Sequence, residues 1–507
     1  MQLNSQESSK TSAQASTAQV PKEPVTRDAA FDLAEYVIKT SYENLPPALV
    51  EVVKKSILDT LGVVTAASTL DPAAKTIAEL IKEGAGKKES TVLGFGGKVP
   101  CWMAAFINGS MGHMIDYDDV HESVMGHPSI TTVLPGMAIA ERLGNVTGRD
   151  FITAVALGND IITRLGRAIK LSPQGRDEWT MDKGWFSTQL FGFISGAATV
   201  GKLLRLNQEQ MVYALGIASA QLSGCRQMGT GFAAETRAIM GGWTGKGAVL
   251  SALMAQRGVT GAKDSIEGSY GVFRVYLQAE PDRDSLVGEL GKRFDGINQW
   301  FKAWPACGET HSSIYSTIEL MRENNISAAD VEEIRVIGGT PHVKLLSEPI
   351  ESKRKPQASI DAKYSIPFTV AVAAAKGNVT LRDYSAEGLK DPIVLRMAER
   401  VSHKYIPEIA NKRKYEEPTI EIRTKAGKVY SRQDSVFTGK SEKPVTREKL
   451  VMKFKDCVSF AAKPISKANV EKIIETVDQL EKLDNVGQIM RLFVNRKTSE
   501  GKMQSLS

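Results

Sequence analysis

Three of the six histidines in this 507-residue chain fall within one short segment. It reads Gly112-His113-Met-Ile-Asp116-Tyr-Asp118-Asp119-Val120-His121-Glu122-Ser-Val-Met-Gly-His127-Pro128-Ser129 and also holds four carboxylates. Imidazoles beside carboxylates support two kinds of chemistry. Asp118, His121 and His127 could ligate a divalent ion. The stronger reading is an acid/base cluster without metal, tuned by hydrogen bonds, because no second ligand group with metal spacing occurs elsewhere. A purely structural role is the third, with His127 capping a helix that begins at Pro128.

A second reactive stretch is Lys302-Ala-Trp-Pro-Ala-Cys307-Gly-Glu-Thr-His311, which sets a cation, a thiol and an imidazole within one turn-like segment. Cys307 paired with His311 could act as a nucleophile. The commoner use of such a cysteine is as a small buried filler.

These two stretches must be held by surrounding elements. The loop at 112–129 lies between two apolar helical stretches, where a rigid scaffold can present functional groups. Ordered structure is expected from Asp28, with helical spacing of Phe31, Ala34, Val37 and Ile38, and of Leu49, Val52, Val53, Ile57 and Leu61. Phe151, Val155, Ile162 and Leu165 mark a further helix, opened by Thr147 and Asp150 in a pattern that resembles a capping box. Asn207 is expected to cap another. The small-residue run Gly192 to Gly201 predicts a buried central helix that neighbouring backbones approach closely.

Beyond Pro305 the texture changes. Val331 to Gly338 alternates like a strand, and Pro418–Thr424 with Val429–Arg432 reads as a hairpin. Asn469 to Leu483 returns to helical spacing. The expected organisation is mostly α: a large all-α domain with a smaller α+β lid domain inserted. The tail covers 1–27, the first helical part 28–298, the lid 299–442, the second helical part 443–496 and a final tail 497–507. Met1 to Thr26, rich in Ser, Thr, Gln and Ala, is expected to be disordered and to be neither a signal nor a transit peptide.

Composition excludes several classes. At 42% hydrophobic and 24% charged, the chain is ordinary globular material rather than a disordered or fibrous one. A net charge of +6 without a concentrated basic stripe suits a small anionic substrate better than nucleic acid. Four scattered cysteines (Cys101, Cys225, Cys307 and Cys457) argue against a disulfide framework, structural zinc or iron–sulfur cluster. No run approaches the roughly 18 apolar residues of a membrane span, and a cytoplasmic setting is the default.

Taken in order, several segments resemble the MmgE/PrpD family, from about Asp28 to Asn495. They are Ile57-Leu-Asp-Thr-Leu-Gly62, His113-Met-Ile-Asp116-Tyr-Asp118-Asp119 with His127-Pro128-Ser129, and Gly196-Ala-Ala to Lys202-Leu-Leu. Gly268-Ser-Tyr270-Gly271, Lys302-x-Trp-Pro-x-Cys-Gly-x-x-His311 and Asp361-Ala-Lys-Tyr-Ser365-Ile-Pro367-Phe complete the set. The resemblance implies cofactor-free chemistry on small polycarboxylates, in a cleft between helical body and lid of a homodimer. By position it implies active-site roles for Asp116 and His127, and a lid-side role for Lys302. It also exposes departures. Phe186 stands where the family's dehydratases and decarboxylases commonly carry histidine, Thr236 where they carry lysine, Val120 where a threonine is expected, and Cys307 where the decarboxylases carry histidine.

Abstracting a proton next to a carboxylate needs a base, and cations to hold the developing charge. His127 is the first candidate for acid or base, oriented by Asp116, with His121 and Tyr270 as further proton carriers. Lys302 and Arg237, together with Cys307 and His311, form the expected substrate-binding set; no metal or cofactor is called for. With Phe186 and Thr236 the pocket is less cationic, so the expected substrate carries fewer carboxylates than citrate, or an apolar substituent. The expected activity is a lyase, by dehydration/hydration or decarboxylation. The alternatives are an epimerase or isomerase, and a non-catalytic ligand-binding descendant.

Overall fold

The computed structural model describes residues 27–84, 86–169, 183–229, 235–410 and 417–494. The two expected tails lie outside these residues, Arg27 excepted. The chain opens with α1 (Ala29–Lys39), whose first turn is closed by the Asp28 carboxylate accepting from the Ala30 amide at 2.8 Å. Pro47 starts α2 (Pro47–Leu70), which is buried almost throughout its second half. Then follow α3 (Pro72–Glu83), a minimal hairpin of β1 (Ser90–Thr91) and β2 (Lys98–Val99), and α4 (Cys101–Met111). The longer helices that follow in this part are α5 (Pro128–Leu143), α6 (Gly148–Arg167), α7 (Ser187–Leu203), α8 (Gln208–Ser219) and α9 (Met240–Gln256). Thr147 and Asn207 cap α6 and α8 as their spacing predicts.

The glycine- and alanine-rich run lies in α7, where every residue but Lys202 is buried. Small side chains allow this. A Cβ on Gly196 would sit 2.7 Å from that of Ala248 in α9, and one on Gly109 in α4 would collide with the Gly241 carbonyl. The expectation of closely approaching backbones holds at α4, α7 and α9 together.

The second part carries a four-stranded sheet of β3 (Val331–Gly338), β4 (Val401–Tyr405), β5 (Thr419–Thr424) and β6 (Val429–Arg432) in the order β4-β3-β5-β6. β3 runs parallel to β4, and the other neighbours are antiparallel. The hairpin and β3 match the alternation in the sequence; β4 is an addition to it. The helix Ile366–Lys376 covers the sheet with Phe368, Val370 and Val372 in one apolar core with Ile334, Val336, Val401, Ile420 and Ile422. A separate, larger core joins residues from Ala29 to Phe294 with Phe454, Ile473 and Phe493 of the C-terminal helices. The fold is thus mostly α, a helical body interrupted by a smaller α+β part. Among the described residues no helix is long and apolar enough to cross a membrane.

Candidate active site

The loop between α4 and α5 is tied to the start of the α+β part by main-chain bonds. Val120 and Trp300 exchange both of theirs at 2.9 Å, and the Tyr117 hydroxyl donates to the Ala303 carbonyl at 3.1 Å. Lys453, from the helix Arg447–Ser459, clasps both strands of this junction by donating to the carbonyls of Tyr117 (2.6 Å) and Lys302 (3.2 Å). The result is that Lys302 meets Asp116. Its ammonium donates to the Asp116 carbonyl at 2.9 Å and pairs with the carboxylate, both side chains being buried. Asp116 takes a left-handed backbone conformation (φ 50°), which aims its carboxylate back across the junction.

Beside this pair stands a second carboxylate, Asp118, shared by two imidazoles. His113 Nδ1 lies 2.9 Å from Oδ1, and His127 Nδ1 lies 3.1 Å from Oδ2; the two rings are 4.3 Å apart. His127 is fixed further by its main-chain amide on the Thr188 hydroxyl (2.9 Å) and by Nδ1 on the Asp119 carbonyl (2.8 Å). A carbonyl can only accept, so His127 Nδ1 carries the hydrogen and Nε2 keeps its lone pair. The His127 side chain is 12% exposed against 2% for His113, so His127 is the more accessible of the two imidazoles. It occupies the N-cap position of α5, yet its side chain makes no capping bond. A purely structural capping role for His127 is thereby set aside.

Electrostatics divide the three aspartates of the loop. Burial pushes the Asp118 carboxyl up, but His113 and His127 outweigh it and hold it well below the usual range. Asp116 is likewise held low, where Lys302, His113 and Arg237 overcome burial. Asp119 is driven well above its usual value by burial; it bonds the side chain of Gln299 and the Ser129 amide (3.3 Å) as a structural acid. Burial lowers His113 to about 4, so it is neutral at physiological pH.

Arg237 closes the cluster. Its guanidinium lies 5.0 Å from the Phe186 ring centre and 4.4 Å from that of Tyr364, and its Nε is buried with no hydrogen-bond partner. The Tyr364 hydroxyl faces Asp116, and burial raises its pKa well above the ordinary phenol. Cys307 is tied to this segment through its amide on the Lys363 carbonyl (3.1 Å), and burial pushes its thiol up to about 12. A thiolate nucleophile is not what this environment favours. Thr236 is exposed, with its hydroxyl 3.4 Å from the Met228 carbonyl.

The structure therefore brings together Asp116, His127, Lys302, Arg237 and Cys307 of the expected set. It corrects three others. His121 is turned away, its Nε2 on the Asp295 carbonyl (2.9 Å) and its Nδ1 accepting from the Ser123 amide (3.2 Å). His311 is enclosed by Trp300, Trp304 and Phe437 at ring distances of 5.8, 5.2 and 5.9 Å. Tyr270 is 93% exposed and bonds none of the cluster among the described residues. Two participants were overlooked: His113, which lies in the quoted histidine-rich segment, and Tyr364, which lies in the Asp361-Ala-Lys-Tyr-Ser365 motif. The candidate metal set changes with them. His113, Asp118 and His127, not His121, offer ligand atoms within 4.8 Å of one another. Both Nδ1 atoms make hydrogen bonds, His113 to Asp118 and His127 to the Asp119 carbonyl.

A helical body, an inserted α+β part and two imidazoles sharing a carboxylate beside the Lys302–Asp116 pair define a class, and comparison with known proteins agrees. The MmgE/PrpD N-terminal domain matches residues 31–284 and the MmgE/PrpD C-terminal domain matches residues 304–481. The chain belongs to the MmgE/PrpD family. It is 24% identical to the cis-aconitate decarboxylase of Mus musculus over 92% of this chain and 93% of that one. It is 25% identical to that of Homo sapiens over 89% and 91%, and 24% identical to that of Aspergillus terreus over 79% and 83%. These relatives are enzymes, and a decarboxylase is a lyase.

Proposed function

We propose that the protein is a cofactor-independent lyase that decarboxylates a small polycarboxylate, with His127 as the proton carrier. The observation that supports this most is the tautomer of His127. Its Nδ1 is committed to a carbonyl and faces the ionised Asp118, which leaves Nε2 to take up or release a proton while Asp118 stabilises the imidazolium. Loss of carbon dioxide breaks a carbon–carbon bond and leaves its electron pair on the α carbon. His127 Nε2, having taken a proton from solvent to form the imidazolium, delivers it to that carbon as the new C–H bond and returns to the neutral Nδ1–H imidazole. The unspent Nε–H of Arg237 and the Lys302 ammonium are the groups to hold the carboxylates that remain, Arg237 being the better clamp.

The Phe186 ring against Arg237 covers the guanidinium with carbon where an imidazole would add a donor. Together with Thr236 this favours a substrate with fewer carboxylates than citrate or with an apolar substituent. Dehydration uses the same base and the same cations and is the runner-up within the lyases. An epimerase would need a second proton carrier on the opposite face; Tyr364, whose hydroxyl faces Asp116, is the candidate.

Incubating the enzyme in heavy water with substituted succinates, malates, citrates and cis-aconitate separates these readings. Loss of carbon dioxide with one deuterium gained supports decarboxylation. Loss of water points to dehydration, and deuterium without mass loss to an epimerase. No deuterium in any compound would end the proton-transfer account, and exclusive turnover of cis-aconitate or 2-methylcitrate would end the smaller-substrate one. Dialysis against a chelator should leave turnover unchanged; its loss would return His113, Asp118 and His127 to the role of metal ligands.

A further inference from the structure

Behind the catalytic junction lies a cavity of about 560 Å³ that the proposed reaction does not use. It opens between the end of α2 and the α+β part, and its volume falls within the range of small-molecule sites. Adjacent residues face opposite ways here. Asp116 joins the cluster while Ile115 lines the cavity, and Tyr364 faces Asp116 while Lys363 lines the cavity.

The polar groups on its wall are underused. Lys363, only 3% exposed, donates one hydrogen bond, to the Met114 carbonyl at 3.3 Å; its ammonium lies 5.9 Å from the centre of the Tyr384 ring and makes no second hydrogen bond among the described residues. The Tyr384 hydroxyl is buried and unpartnered, on a side chain 5% exposed. Buried donors of this kind are normally satisfied. Ile115 and Leu381 supply apolar wall, and the exposed Lys355 and Lys390 stand at the rim. Cationic and phenolic donors in the interior, carbon between, and further cations outside describe a ligand with an acid at each end and an apolar middle.

We propose that this cavity is a second binding site for a small aliphatic dicarboxylate, one carboxylate taken by Lys363 and Tyr384 and the other by Lys355 and Lys390. An occupant competes with the Met114 carbonyl for Lys363, two residues from Asp116, so the site abuts the catalytic loop. The proposal does not depend on the reaction assigned above. Burial lowers Lys363 to about 8, with Asp71 and Asp116 opposing and Lys302 assisting. A carboxylate beside it raises that value again, so binding at about pH 8 takes up a proton.

Titration calorimetry of the full chain with adipate, at about pH 8 in two buffers of different ionisation enthalpy, tests this. Saturable binding with proton uptake is expected. Lys363→Met should abolish the uptake and weaken binding at least tenfold, and the exposed Lys355→Glu/Lys390→Glu pair, which does not burden folding, should weaken it about tenfold. Arg237→Met should bind adipate as before. The proposal is overturned if adipate gives no saturable heat, if the rim pair binds unchanged, or if Arg237→Met alone loses binding, which would put adipate at the catalytic cluster.

Discussion

His127 and His311 are both imidazoles at the start of a helix, both flanked by tryptophan- or carboxylate-bearing turns, and both attractive as reactive groups in the sequence. Their surroundings differ in kind. His127 and its neighbour His113 share an ionised carboxylate and border a lysine and an arginine. His311 is ringed by Trp300, Trp304 and Phe437, neither of its nitrogens has a side-chain partner, and burial lowers it to about 3. An imidazole moves protons only where both charge states are accommodated. The carboxylate at 113–127 accommodates the cation; the aromatic box at 300–311 excludes it.

The sharpest way to break this contrast is His127→Gln. The amide keeps a donor toward the Asp119 carbonyl but cannot carry a proton, so kcat should fall by about 10²–10⁴ with little change in melting temperature. A residual rate within a few-fold of the parent would place the proton carrier elsewhere. Next comes Asp116→Asn. It leaves the Lys302 ammonium buried without its counter-charge, which costs about 3–5 kcal/mol. Denaturant unfolding should register that loss, and turnover should drop with it. A stable, active variant would mean that Lys302 sheds its proton or finds another partner.

A smaller effect sharpens the chemistry on the charged side of the comparison. Phe186→His with Thr236→Lys restores donor and cation where Arg237 now stacks on a ring. The ratio of kcat/KM for a tricarboxylate over a dicarboxylate should rise about tenfold, the worth of roughly 1.4 kcal/mol. An unchanged ratio would show that the ring and the threonine do not set the carboxylate count.

How much of this was legible in the sequence follows the range of the interactions. Periodicity marks α1, α2 and α6, a small-residue run marks α7, and alternation marks β3 and the β5–β6 hairpin, because each pattern is local. The strand Val401–Tyr405 was hidden because only its first residue is fully buried, while Ser402, His403 and Lys404 read as polar surface. At the site, the clustering of His113 to His127 was visible, but which imidazoles face inward was not. That depends on the left-handed turn at Asp116 and on the Val120–Trp300 pairing, a contact across about 180 positions of chain that no spacing rule encodes. Tyr364 was hidden for the same reason: it reaches Asp116 only once the α+β part has folded over the loop. His311 misled because its closeness to Cys307 along the chain says nothing about direction, and the helix His311–Glu323 turns its ring into the apolar core.

The smallest catalytic effect and the most distinctive stability effect both belong to His311→Leu. The ring touches no substrate-facing group, so kcat/KM should stay within about twofold of the parent. Stability should respond to pH. An unfolded histidine titrates near 6.5 whereas the folded one is held at about 3, so between these values the unfolded chain binds more protons. A depressed folded pKa means that the stability present above 6.5 is lost as pH falls toward 3. Leucine carries no such proton. The difference in melting temperature between variant and parent should therefore move in the variant's favour from about pH 6.5 to 4.5 and level off above 7. A parallel pair of curves would show that His311 accepts its proton in the folded state, and the aromatic box would then have to open, as the 113–127 cluster does not need to.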